Sequence, residues 1–373
     1  MHTAFASPHQ HHTAVTGACP LWQGLRTRGV QTVAVMGMSK NTGKTVCLNH
    51  LLAQAHASGR AMGITSIGRD GEERDEVFAT PKPAVRVTPG CLVATARDTL
   101  VRSRTRTKVL GGTGVHSPMG EILIVKAIEA GDMEVAGPSL SQDQQRVIGL
   151  LRQCGAQQIL LDGALGRSHH ASPAIADGVI LATGAALGGG MGDVLRKTRD
   201  RLAILGLTVA EPDLAQRVQP VSARGGVGVW GPDGQCLFCE PLATLNAAAA
   251  LMHLHSRHAR AGAVATVAVS GAVGRLFWRA LQTLLDHHPG LTLVVADGTR
   301  LFIDARELHA YQRQGGCVRA LRGIRLLGVT LNPVSPTGAS FDAGAFLDQA
   351  RTLLAPHWVG DVGAPPLPQE EES

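Results

Sequence analysis

Lys44 and Thr45 are the residues whose types and setting point most directly to chemistry. They close the stretch Gly37-Met38-Ser39-Lys40-Asn41-Thr42-Gly43-Lys44-Thr45. A glycine-bearing turn that opens onto a helix presents backbone N–H groups to phosphate oxygens, and the helix dipole favours the same negative charge. In that setting Lys44 would neutralise the β- and γ-phosphates of a nucleotide, and Thr45 would ligate Mg²⁺ through its hydroxyl. The usual pattern is a glycine, four free positions, then Gly-Lys-Ser/Thr. Here the residue five before Gly43 is Met38, and the opening glycine is Gly37, one place further back. The loop is read as one residue longer than the pattern. Ser39, Lys40, Asn41, Thr42 and Val46 complete the expected nucleotide-contacting set.

Two acids are expected to share the metal and catalytic work with Lys44 and Thr45. Asp162 closes the apolar run QQILLD, and an acid there is placed to hold Mg²⁺ directly or through water. Gly163 then lets the backbone pass close to phosphates. Asp70, in SIGRDGEE, follows another apolar run, at the kind of strand end where open sheets bind ligands. Arg69 and Glu72 flank it, and Lys82 lies beyond in TPKPA. Asp162 and Lys82 each have an ordinary alternative as a turn cap.

Other polar segments have no assigned reaction. GGTGVHSPMGE (111–121) offers Thr113, His116, Ser117 and Glu121, and GALGRSHHASP (163–173) offers Arg167, Ser168 and His169. Adjacent Ser and His are not a nucleophile–base pair, so hydrolase chemistry of that kind is not supported. ADGT (296–299) and TLNPVSPTG (330–338) follow apolar runs and carry groups suited to a ligand or a partner. No NKxD occurs, so a guanine site has no support and ATP is the expected nucleotide.

These residues need elements to hold them. QTVAVM (31–36) reads as a buried strand, and Val46, Leu48, Leu51, Leu52 and Ala55 recur at helical spacing until Gly59. A second strand is expected over 63–67. Residues 85–136 alternate in short pieces broken by Gly or Pro, with one helix near Thr99. SQDQQRVIGLLRQ (141–153) predicts a helix capped by Ser141, with Gln144 three positions on. Strands at QQILLD and 178–183 and the helix GDVLRKTRDRLAILG follow. The alternation predicts a three-layer α/β domain over 31–210 around a mostly parallel sheet. Beyond it, a Pro-Asp-Gly hairpin and a helix precede three apolar strands, VATVAVSGAV, LTLVVADGT and IRLLGVTLNP. With helices at 275–287, 304–313 and 341–353, they predict a second, smaller α/β lobe over 211–361. Residues 1–30 and 362–373 read as flexible ends.

Composition excludes several classes. A content of 44% hydrophobic and 17% charged residues describes a folded chain, and 373 residues suit about two domains. Aromatic residues are only 3%, so Ala, Val, Leu and Ile must build the core and no adenine-stacking platform stands out. The formal charge of +6 is not gathered in a basic block, which argues against nucleic acid. Seven cysteines without framework spacing suit a reducing, cytoplasmic setting, and Cys236-Leu-Phe-Cys239 alone is too little for zinc. Neither a secretory leader nor a membrane span is legible.

The long loop resembles that of the dethiobiotin synthetase and cobyrinate amidase branch of P-loop proteins, whose glycine also stands six residues before the Gly-Lys-Thr glycine. Over a longer span, ITSIGRDGEE, TGVHSPMGEILIVKA, VAGPS, ILLDGALGRSHHASPAIADGVILATGA and VTLNPVSPTGASFD resemble the P-loop (KamB-like) subunit of the lysine 5,6-aminomutase reactivase. The resemblance covers roughly residues 31–355. It implies a P-loop NTPase domain over 31–210, with Lys44 and Thr45 binding phosphate and Mg²⁺. It also implies Asp162 as a Walker B-type acid, with Asp70 at a switch-like position. It further implies an ATPase that works beside a MutS-related partner to restore an adenosylcobalamin-dependent aminomutase; a homodimer is compatible with this. Two alternatives stay open: an ATP-dependent ligase that phosphorylates a substrate carboxylate, and a nucleotide-binding scaffold without turnover.

Overall fold

The structure is a computed structural model that describes residues 19–66, 84–164, 172–257, 263–336 and 338–362. The chain opens with α1 (Pro20–Thr27), β1 (Thr32–Gly37), α2 (Lys44–Ala57) and β2 (Met62–Ser66). The expected strand-rich stretch holds β3 (Val85–Val87), β4 (Leu92–Ala96), α3 (Arg97–Val101), β5 (Thr107–Ser117), β6 (Gly120–Ala127) and β7 (Gly131–Met133). Then come α4 (Ser141–Gln153), β8 (Gln158–Ala164), β9 (Gly178–Gly184) and α5 (Met191–Leu205).

Next are α6 (Pro212–Arg217), α7 (Gln219–Arg224), β10 (Val227–Trp230), β11 (Cys236–Glu240), α8 (Thr244–Arg257), β12 (Thr266–Val269) and α9 (Arg275–His287). The last are β13 (Thr292–Val295), α10 (Ala305–Arg313), β14 (Cys317–Ala320), β15 (Leu326–Asn332), α11 (Ala343–Leu353) and β16 (Val359–Gly360).

The fold is α/β, built on a large, mostly parallel mixed sheet. Its nine strands run β16-β15-β9-β1-β8-β2-β4-β6-β5. All pairs from β16 to β4 are parallel, and the β5–β6 hairpin adds an antiparallel edge. Every residue of β1 is buried, as a strand covered on both faces requires. Alternation then splits its side chains. Val33 and Val35 pack with α1 and α2 through Trp22, Leu48, Leu51 and Leu52. Ala34 and Met36 face the opposite core, with α4, α5 and α11 through Leu151, Val194, Leu195 and Phe346.

A second sheet of five strands runs β11-β10-β12-β13-β14. The Pro-Asp-Gly hairpin is present as antiparallel β10–β11, closed by Gly231 N donating to Gln235 O at 3.0 Å. β12, β13 and β14 are parallel and pack on Trp278, Leu281, Leu284 and Tyr311.

Four readings need correction. Residues 20–27, read as part of a flexible end, form α1, whose apolar face buries Leu21, Trp22 and Leu25 against α2 and β1. IRLLGVTLNP, expected in the second lobe, is β15, which pairs with β9 in the first sheet, and β16 extends that sheet further. The chain therefore leaves the first sheet after β9, builds the second, and returns. An apolar run predicts a strand, but the sheet it joins depends on which edge is bare. The third parallel strand of the second sheet is instead the short β14. Ser141 does not cap α4. It is already the first helical residue, and Leu140 holds the cap position without a side-chain bond. The approach is fixed upstream, where Ala96 N donates to Ala136 O at 2.8 Å and Gly137 N to Ser66 Oγ at 3.0 Å.

Among the described residues no helix is long and apolar enough to cross a membrane.

Candidate functional site

The loop 37–45 joins the carboxyl end of β1 to the first turn of α2. Gly43 is the N-cap of α2 at φ 87°, and Asn41 has φ 62°, the only positive value at a non-glycine among the described residues. Two left-handed residues in three turn the chain sharply enough to bring Lys44 back over the strand ends. Gly37 is required by packing: a methyl there would sit 2.8 Å from Thr42 Oγ1 and 3.1 Å from Ser39 O. Thr42 is buried and donates from Oγ1 to Ser39 O at 3.0 Å, and Met38 N donates to Ala182 O of β9 at 2.8 Å. The loop is thus tied both to itself and to the strand beside β1.

Asp162 enters from β8, in register with Val35 of β1 and Ser66 of β2. Its Oδ1 accepts from Lys44 Nζ at 2.7 Å, with the lysine and aspartate side chains 19% and 9% exposed. The ammonium is held at the head of α2, where N–H groups without intrahelical partners also converge. Thr45 is buried in the first helical turn. Gly163, next along β8, is buried opposite Met36 of β1, one position before the Gly37–Ala164 register pair. Ser39, Lys40 and Val46 lie on the outer side; Val46 and Lys40 are exposed and Ser39 is half-buried. Cys47, one turn into α2, is wholly buried, and burial pushes its thiol up to about 12, so it is an inert core residue.

No protein-family model, curated protein or solved structure matches this chain.

The other sequence candidates fall in different places. Asp70, with Arg69, Glu72 and Lys82, lies outside the described residues, as do Arg167, Ser168, His169 and His170. The segment 111–121 forms the β5–β6 hairpin end, with His116 opposite Glu121 and Gly114 N donating to Glu121 Oε1 at 3.0 Å. In the strand order β5 is five places from β1; at about 4.8 Å per strand this is roughly 24 Å. Thr113 Oγ1 donates to Ile122 O within the hairpin, so it serves the turn.

Asp297, from ADGT, is fully buried and accepts from Thr299 N at 2.9 Å, from Thr299 Oγ1 and from Ser172 Oγ at 2.6 Å. It fastens Ser172, ahead of β9, to the end of β13. Cys236 and Cys239 lie on the edge strand β11.

One residue of TLNPVSPTG, a segment read in the sequence as suited to a ligand or a partner, instead meets the loop. Asn332, the last residue of β15, donates from Nδ2 to Asn41 O at 2.8 Å and accepts from Val334 N at 3.2 Å. Its segment stood out in sequence for its polar groups, but its target depends on β15 joining the first sheet.

The chemistry open to this arrangement is that of polyanion binding. A lysine ammonium, a helix start and a glycine-enforced turn meet at the ends of β1 and β8, beside the Asp162 carboxylate.

Proposed function

We propose that this chain binds ATP with Mg²⁺ on the 37–45 loop, as a P-loop NTPase, and hydrolyses it. The observation that carries the reading is the 2.7 Å contact of Lys44 Nζ with Asp162 Oδ1 at the start of α2. Such a contact holds the ammonium extended over the strand ends without a bound anion. An incoming phosphate competes for that ammonium, and the Asp162 carboxylate is then free for a cation. The residues fit the group: Gly37 leaves the loop interior open where a methyl would collide, and Thr45 and Asp162 supply hard oxygen ligands. When bound, Mg²⁺ would neutralise charge on the β- and γ-phosphates. Lys44 would orient the transferred phosphoryl group, and the backbone N–H groups of Gly43 to Val46 would donate to its oxygens.

The use of that energy follows from the resemblance: an accessory, chaperone-like ATPase that works with a MutS-related partner to restore an adenosylcobalamin-dependent aminomutase. The ligase alternative would need a second pocket lined by 111–121, a segment that closes the far sheet edge.

The test is phosphate release by the purified chain, alone and with the MutS-related partner and inactivated aminomutase. Release stimulated by the partner, together with recovered mutase activity, supports the reading. ATP turnover that depends instead on a small carboxylic acid would replace it with the ligase.

A further inference from the structure

We propose that Asn332 is a positioning residue for the phosphate loop: it clamps the left-handed turn at Asn41–Gly43 from a strand on the far side of β9. Its functional meaning rests on the nucleotide reading above, while its effect on the loop does not.

The geometry converges on this side chain from several directions. β15 is not adjacent to β1; β9 lies between them. Only a side chain that leaves the end of β15 and crosses the end of β9 can reach the loop. Asn332 pairs in register with Gly184, the last residue of β9, and a side chain at 184 would collide with the Asn332 carbonyl. Glycine at the end of β9 therefore clears the path. The amide then reaches the loop, Nδ2 donating to Asn41 O at 2.8 Å. The other end of the amide is also engaged, Oδ1 accepting from Val334 N at 3.2 Å. That second bond fixes which way the amide faces, so the donor points at the loop.

Asn41 is the residue that needs the clamp. Its φ of 62° is one that Asn adopts more readily than most side chains but that only glycine takes freely. Two positions on, Gly43 at φ 87° packs so closely that a methyl there would lie 3.1 Å from Asn332 Cβ. Asn332 thus bonds one left-handed residue and fills the space against the other. Thr42, Gly43 and Lys44 carry the N–H groups that a phosphate would meet, and their orientation follows the two turns that Asn332 holds.

The clamp acts on the loop and not on a base, so its loss is predicted to be blind to the rest of the ligand. In Asn332→Ala, affinity for ATP and for inorganic tripolyphosphate should fall by the same factor, about tenfold for one lost hydrogen bond. Asn332→Asp, which keeps the acceptor for Val334 N but sets a carboxylate against Asn41 O, should fall at least as far. Asn41→Gly, which takes positive φ freely, should restore most of the loss in the Asn332→Ala background. Amide hydrogen exchange without ligand reads the same event. Thr42–Lys44 should exchange faster in Asn332→Ala, while β1 and β9 keep wild-type protection and so report an intact fold. Unchanged loop exchange in Asn332→Ala would overturn the proposal, as would a loss confined to ATP and absent with tripolyphosphate. If the wild-type chain binds neither compound, the nucleotide reading fails, and the exchange measurement alone still decides whether Asn332 holds the loop.

Discussion

Lys44 and Asp162, 118 residues apart in sequence, are joined by a 2.7 Å hydrogen-bonded ion pair across the ends of β1 and β8. The pair links the two sequence features from which a nucleotide site was inferred. Asp162→Asn keeps the shape and one acceptor but removes the charge. It is expected to lower stability by about 1–3 kcal/mol, as for a hydrogen bond to a charged group. It should also weaken the dependence of ATP binding on Mg²⁺, with Thr45 left as the remaining ligand. Denaturant unfolding and calorimetric titration with and without the cation check both parts.

Gly43→Ala meets two obstacles at once, a φ of 87° and a methyl 3.1 Å from Asn332 Cβ. The backbone penalty alone is about 1–2 kcal/mol. A urea midpoint shifted down with an unchanged slope is the expected result, and a wild-type midpoint would mean that the loop relaxes easily to another turn.

Burial pushes the thiols of Cys47 and Cys91 from an ordinary value of 9.0 up to about 12. Below pH 9 both are neutral whether the chain is folded or unfolded, and their contribution to stability is fully present. Above pH 9 the unfolded chain loses these protons first, so stability falls towards pH 12 at up to about 1.4 kcal/mol per pH unit for each thiol. Melting temperatures between pH 8 and 10.5 should drop less steeply when both residues are alanine. Under native conditions near pH 8 a thiol reagent should modify exposed Cys154 and Cys236 and leave Cys47 and Cys91 untouched.

Asp297→Ala would leave the Ser172 hydroxyl and the Thr299 N–H and hydroxyl without this acceptor in a buried place. A loss of roughly 1–3 kcal/mol for each donor left unpaired is expected, with Asp297→Asn, which retains one acceptor, falling in between. Unfolding followed by tryptophan fluorescence, to which Trp278 of the second core contributes, checks the order of the variants.

The loop was legible because its signal is local. Gly37, Gly43, Lys44 and Thr45 stand within nine residues, and the strand and helix around them have clear periods. Helix 275–287 was equally clear, since Phe277, Trp278, Leu281, Leu284 and Leu285 mark one buried face. The place of β15 was not legible, because its apolar run would suit the edge of either sheet and only tertiary packing chooses. With β15 misplaced, Asn332 could not be seen to reach Asn41. ADGT stood out for polar groups suited to a ligand or a partner, yet its Asp297 is taken by Ser172, a partner 125 residues away. Residue type does not reveal such a partner.

Equilibrium binding of ATP to the full chain, with and without Mg²⁺ and beside Lys44→Ala, tests the central claim most directly. Saturable one-site binding by the wild type, strengthened by Mg²⁺ and weakened at least about 100-fold (roughly 2.7 kcal/mol) in Lys44→Ala, is the predicted result. No binding by the wild type, or equal binding by Lys44→Ala, would contradict it.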